Sequence, residues 1–269
     1  MFCFCHSLYN IDELKNLNTE DVTDFSSMFY YSNRINIKAL ENWDVSKAEN
    51  YSGFLGVSEY ITNINALKNW NVSRRKDFSN MFYHCNNLSN IKALENWNVS
   101  NGTDFSHMFE GCQKLEDIQP LEKWDVSKCT NFEYMFKECP FLSRVVPIKN
   151  WNVSNATNFK YMFSYDINLF IKPLENWDIS NARDLEGLFS GLTDLTDLTP
   201  LKNWNVSKCQ NFSKLFLGCD KISDLNPIKN WNVSNGKNFK SIFDRNVASK
   251  NENILKSWKL KNEDYKSIF

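Results

Sequence analysis

Glycine is scarce in this chain of 269 residues: there are eight, scattered, and none forms the Gly-rich loop that cradles a phosphate. Histidine is scarcer. His6, His84 and His107 are the whole supply, and none has a carboxylate or serine at a recurring catalytic spacing, so the pairing of a nucleophile with its base is missing. Neither sign of charge prevails: 31 basic and 32 acidic side chains leave a net charge of −1, which gives no electrostatic footprint for nucleic acid and no polybasic tract for a lipid surface. The only basic cluster, Arg74-Arg75-Lys76, reads as a solvated corner. No apolar run approaches the ~18 residues of a membrane span. The opening MFCFCHSLYN lacks the basic n-region and long apolar h-region of a secretory signal. These absences predict no enzyme, no nucleic-acid partner and no membrane insertion, and a cytoplasmic place for the chain if it is complete.

What the chain has in abundance is tryptophan in register. Trp43, Trp70, Trp97, Trp124, Trp151, Trp177, Trp204, Trp231 and Trp258 are spaced by 27 residues, once by 26, and Leu17 takes the same place one period earlier. Counting from each Trp, position +2 is Val or Ile (Val45 to Val233) and +3 is Ser (Ser46 to Ser234). Position +7 is always Asp or Asn: Asp24, Asn50, Asp77, Asp104, Asn131, Asn158, Asp184, Asn211 and Asn238. Positions +8, +11, +12 and +15 read, for example, Phe105, Met108, Phe109 and Cys112, and +18, +21 and +24 are aliphatic, as in Leu115, Ile118 and Leu121. One repeat cannot bury its apolar face, but stacked neighbours can, so the period predicts a solenoid.

Apolar residues at +8, +11, +12 and +15 follow the i, i+3, i+4, i+7 rule, which predicts a two-turn amphipathic helix in every repeat. The preceding Asp24, Asp77, Asp104, Asn131, Asn158, Asp184, Asn211 and Asn238 are expected as its N-caps. The stretch from +18 to the next Val suits an extended or tightly turned segment, with Trp and Val facing the same side. Pro120, Pro147, Pro173, Pro200 and Pro227 share position +23, so a continuous central β-ladder does not run through that column. The expected architecture is a single solenoid domain over 1–269, with Trp-register rungs from 17 to 258. It has about ten 27-residue rungs, each a short extended segment plus a short helix, in a right-handed curved array, and both ends stop mid-repeat.

The phrase CNNLSNIKALENWNVSNGTDFSHMF at 85–109 resembles the BspA-type leucine-rich-repeat family, in its bacterial surface-protein subgroup. The shared features are MF, a Cys, spaced Leu/Ile, a W-[DN]-x-S core and a second MF, in register along essentially the whole chain. The resemblance implies a leucine-rich-repeat-like solenoid used for protein recognition, surface attachment or adhesion, with no catalytic residues. It also implies a cell-surface setting if the chain is a segment of a larger family member.

Several recurring residues invite sharper readings. Cys5, Cys85, Cys112, Cys139 and Cys219 share +15, and Cys129 and Cys209 share +5. A single column points its side chains in parallel, whereas zinc needs four converging ligands, so these read as small buried hydrophobes. Only Asp178 and Asp184 put acids at both +1 and +7 of one repeat, too few for a calcium site. Asn71, Asn98, Asn152, Asn205 and Asn232 are formal N-x-S acceptors, but their column also accepts Asp44, Asp125 and Asp178. No metal and no cofactor is expected. The Trp column is read as buried; were it exposed, it would form a glycan-binding track. Function is then sought in the variable columns +9, +10, +13 and +14, which hold Tyr30, Tyr31, Tyr83, His84, His107, Tyr134, Tyr161 and Tyr165. Outward aromatics are candidate interface anchors for a protein partner. The expected molecule is a monomeric binding protein, with an intracellular scaffold unrelated to adhesion as the alternative.

Overall fold

The computed structural model describes residues 2–269. Its repeats are joined by backbone hydrogen bonds between residues one period apart. The amides of Phe105, His107, Phe109 and Gly111 donate to the carbonyls of Asn131, Glu133, Met135 and Lys137 at 3.0, 2.8, 3.0 and 2.8 Å. The next repeat does the same from Phe132, Tyr134, Phe136 and Glu138 to Asn158, Lys160, Met162 and Ser164. Isolated parallel bridges link the +7 residues of successive repeats, from Asp24–Asn50 through to Asn211–Asn238. Among the described residues these bridges do not lengthen into strands.

Among the described residues the expected two-turn helix is absent. Positions +8 to +15 instead form consecutive tight turns, closed by bonds such as Met108 N–H to Phe105 C=O at 3.3 Å and Cys112 N–H to Phe109 C=O at 3.0 Å. Residues +10 and +14 lie in the left-handed region, as at Asn80 and His84 (φ 56° and 51°) or His107 and Gly111 (φ 58° and 72°). The physical reason is a competition for amides. A helix this short is unstable alone because nucleation is costly. The stack offers alternate amides a carbonyl in the next repeat, and the turns between them carry apolar side chains inward at the same i, i+3, i+4, i+7 spacing. Each non-glycine left-handed residue costs about 1–2 kcal/mol, which inter-repeat bonding and burial offset.

With no helix to cap, the +7 residues act differently from expectation. Asp24, Asp77, Asp104, Asn131, Asn158, Asp184, Asn211 and Asn238 each accept the amide two residues on, at 2.7–3.2 Å, as Asx turns. Their oxygen still satisfies a local amide, but it starts a turn.

Just before each Trp from Trp43 to Trp231, the chain makes a short 3₁₀ turn, such as Gln119–Leu121 or Val146–Ile148. The five prolines at +23 sit in the first positions of these turns, where a missing N–H removes no bond. The turns aim Trp and Val into one continuous core running from Ile11 to Ile268. All nine tryptophans are 4–7% exposed. Beside them Phe82, Phe109, Phe136, Phe163, Phe189, Phe216 and Phe243 form a stacked ladder with ring centroids 5.3–6.3 Å apart.

The periodic turns end in three helices, α1 (Arg245–Lys250), α2 (Glu252–Ser257) and α3 (Asn262–Ser267). The polar Asn246, Ser249 and Glu252, which interrupt the apolar pattern, lie on their exposed sides. Buried Asn251 ties them to the stack, accepting from Leu225 N–H at 3.2 Å and donating to the Ser223 carbonyl at 3.3 Å.

Candidate recognition surface

The polar groups of the frame columns are already engaged within the stack. At +1, Asn71, Asn98, Asn152, Asn205 and Asn232 each accept the amide of the Ser two residues on, at 3.1–3.2 Å. Asp178 accepts from Ser180 N–H at 2.9 Å and Asp184 from Glu186 N–H at 2.8 Å, so both acids of that repeat serve turns. The +15 thiols are weak donors to the repeat behind: Cys85, Cys112, Cys139 and Cys219 point Sγ at the carbonyls of Leu55, Phe82, Phe109 and Phe189, at 3.0–3.2 Å. Burial pushes the Cys85 and Cys219 thiols up to about 12.

The Tyr/His columns lie on the outside, and the left-handed residues place their side chains across the next repeat. His107 stacks on Tyr134 (4.7 Å, 7° between planes) and Tyr134 on Tyr161 (5.1 Å, 24°). Tyr83 meets His84 edge-on at 4.3 Å and His107 at 6.2 Å. Tyr31 packs with Phe4 and His6 at 5.6 and 5.0 Å, which adds two aromatics that the column analysis missed. Tyr30 lies over Gly56, His84 over Gly111 and Tyr165 over Gly191. A Cβ on Gly111 would come within 2.5 Å of His84 Nδ1, so the glycine both adopts the left-handed turn and admits the ring. Most of these rings are half-buried; Tyr31 and Tyr165 are exposed at 38% and 52%.

An ion network crosses the middle of this face. Glu110, 5% exposed, faces His107 Nδ1 at 2.5 Å and Lys137 Nζ at 3.1 Å. Burial alone would raise the Glu110 carboxyl, but the hydrogen bonds from His107 and Lys137 outweigh it and hold the group below the usual glutamate range. Lys137 reaches Glu138 at 2.9 Å, and Lys160 lies between Glu133 and Glu186 at 3.8 and 3.6 Å. Tyr161 donates its hydroxyl to Glu186 at 3.1 Å. These charges occupy +9, +13 and +14, among the same variable columns that hold the tyrosines and histidines, a signal present in the sequence beside the aromatic one.

Two charged residues are fully buried. Arg75 is no solvated corner: it is fully buried in the +5 column of small residues, its guanidinium 4.7 Å over the Tyr51 ring and bonded to the Tyr51 hydroxyl (3.2 Å) and the Val45 carbonyl. Asp166 takes a +15 place held mostly by Cys or Ser, and by Leu192 one repeat on; it is fully buried and accepts the Cys139 amide at 2.8 Å. Its other oxygen has no partner, and burial raises its carboxyl well above the usual aspartate range.

Comparison with protein families now bears on the repeat. Residues 1–115, 54–168, 85–198 and 165–269 each match the family described as Mycoplasma protein of unknown function, DUF285. The chain belongs to the DUF285 family. The DUF285 unit spans several of the Trp-register repeats, and its overlapping matches cover the chain end to end, as a repeat protein with one uninterrupted core requires. Comparison with curated proteins returned no match. No helix among the described residues is long and apolar enough to cross a membrane.

Proposed function

We propose that this DUF285 chain is a non-enzymatic recognition protein, a leucine-rich-repeat-like solenoid of the BspA type that presents its Tyr/His columns to a protein partner. The observation that carries the reading is the ladder His107–Tyr134–Tyr161, stacked at 4.7 and 5.1 Å on an outer face. Rings already packed on the next repeat lose little side-chain freedom on binding, so less of the contact energy is spent on ordering. Tyrosine is also among the residues that dominate binding hot spots. The resemblance to bacterial surface repeats supports attachment as the setting; an intracellular scaffold would use the same face. A glycan track built on tryptophan finds no support, because that column is buried.

The test compares wild-type chain with a variant carrying Tyr83→Ala, His84→Gly, Tyr134→Gly and Tyr161→Gly. Glycine keeps the left-handed backbone at the last three positions. With matched far-UV spectra and melting temperatures, quantitative mass spectrometry of captured proteins is expected to show partners lost from the variant. Equal capture by both chains overturns the assignment of this face.

A further inference from the structure

A second face, on different columns, breaks its polar pattern at Tyr60 and again, as a cluster, further along the stack. Phe141, Val146, Ile167 and Phe170 are 53%, 46%, 43% and 57% exposed, all within two adjacent repeats. Seven residues before six of the other tryptophans stand Asn36, Asn63, Asn90, Asp117, Asp197 and Asp224, each accepting the amide two residues on. Arg144 and Phe170 replace that turn-forming side chain, and a parallel bridge between them holds the backbone in register without it. Phe170 also borders a cleft of about 400 Å³ with Leu169, Ile171, Asp194 and Pro200. Grouped exposed aromatics of this kind mark interaction surfaces.

The charges around the patch are arranged in a particular order along the stack. Ten residues before successive tryptophans stand Lys114, Phe141, Ile167 and Asp194. The column therefore runs from a cation, through two apolar side chains, to an acid, Asp194, whose carboxylate lies against Lys221 of the next repeat in an exposed pair. Seven residues before the same tryptophans stand Asp117, Arg144, Phe170 and Asp197. Lys114 Nζ already lies over the Phe141 ring at 5.0 Å. Arg144 is exposed and takes part in no ion pair among the described residues.

We infer that this patch is a two-fold interface on which a second copy of the chain docks antiparallel. An axis lying in the face and perpendicular to the stack keeps columns opposed and reverses the order of repeats. Lys114 then meets Asp194 of the partner subunit, and Phe141 meets Ile167 of the partner subunit. Arg144 covers Phe170 of the partner subunit, a favourable cation–π arrangement. It also stands one repeat from Asp117 of its own chain and one from Asp197 of the partner subunit, two acids that this pairing opposes, and so gives them a shared counter-charge. Isologous interfaces require this kind of self-complementarity, since each residue pair occurs twice. This inference makes the chain a dimer where the sequence alone suggested a monomer.

Sedimentation velocity on the full chain tests this, from about 1 to 100 µM, a range that brackets micromolar affinity. A concentration-dependent dimer is expected. Phe141→Asp with Phe170→Asp, both exposed positions, is expected to yield monomer throughout. Lys114→Asp alone is expected to weaken association about tenfold, and adding Asp194→Lys to restore it, because the exchanged charges again oppose. A wild-type monomer across the range overturns the inference. So does a dimer indifferent to the Phe substitutions, or a charge exchange that fails to recover.

Discussion

The carbonyl oxygen of Leu94 accepts two hydrogen bonds: the backbone amide of Trp97 at 3.1 Å and the indole Nε1–H of Trp124, one repeat on, at 3.0 Å. All nine tryptophans make the second bond, from Trp43 on Leu14 to Trp258 on Ile228, at 2.9–3.3 Å. The indole is thus apolar filling and cross-repeat tie at once, which explains why this column admits no other aromatic from Trp43 onward.

Trp124→Phe keeps a ring in place but removes the donor and some volume. A loss of about 1–2 kcal/mol is expected, mostly the net worth of one buried hydrogen bond. Trp124→Ala is expected to lose about 3–5 kcal/mol because it opens a cavity. Urea titration separates the two; an unchanged midpoint for Trp124→Phe would show that the indole bond contributes nothing.

Asp166 makes stability depend on pH. Burial raises its carboxyl in the folded chain, so the folded state holds that proton more tightly than the unfolded state. Its contribution is full below the unfolded value of about 3.9 and is lost as pH rises toward the folded value, by up to about 1.4 kcal/mol per pH unit. Asp166→Cys restores the residue that Cys139 represents one repeat earlier, and its advantage over wild type is expected to grow from pH 4 to pH 8. A difference in unfolding free energy that stays flat with pH rejects a buried titrating Asp166.

Thiol labelling reads the +5 and +15 columns directly. Six of the eight cysteines are buried, and only Cys3 and Cys5 are partly exposed. A thiol held up to about 12, as at Cys209, carries little thiolate at pH 8. Two fast-reacting thiols are expected in native chain and eight in urea. More than two in the native chain would mean that the repeats open readily.

Arg75 and Tyr51 form a pair whose members are costly apart. Tyr51→Phe alone removes the hydroxyl that accepts from the buried guanidinium and is expected to cost about 1–3 kcal/mol. Adding Arg75→Ala puts in these columns the residue types found at Phe132 and Ala156, and is expected to recover that loss and exceed wild type by about 1 kcal/mol or more. A double variant less stable than Tyr51→Phe shows that the cation itself holds the repeat together.

The arrangement of Phe105, Met108, Phe109 and Cys112 marks where sequence reading stopped. Their spacing identifies one inward face, and all four are buried. It does not distinguish a helix from successive turns, because both return a side chain inward after three or four residues. The distinguishing clue was the glycine and asparagine at +10 and +14, as at Gly53, Asn80, Gly111, Gly187, Gly191 and Gly218. Residue types that tolerate positive φ, set four apart, fit left-handed turns and not a helix. The outward placement of the Tyr/His columns was legible because they vary where the frame repeats. That Glu110, Lys137 and Glu186 would knit those columns together was not, since ion pairs one period apart depend on how the repeats are aligned.

The sequence by itself determined the period, the membership of the core and the burial of Trp and Val, because each is a matter of which side chains leave water at a fixed spacing. Tertiary structure decided what the backbone does between those points. An amide can bond within its own segment or to the next repeat, and only the stacked neighbour, supplying a carbonyl at 2.8–3.0 Å, settles which. The same stacking turned Arg75 inward, buried Asp166, and gathered Phe141, Val146, Ile167 and Phe170 into one patch. All of these depend on residues about one period away in sequence that meet only when the repeats are stacked.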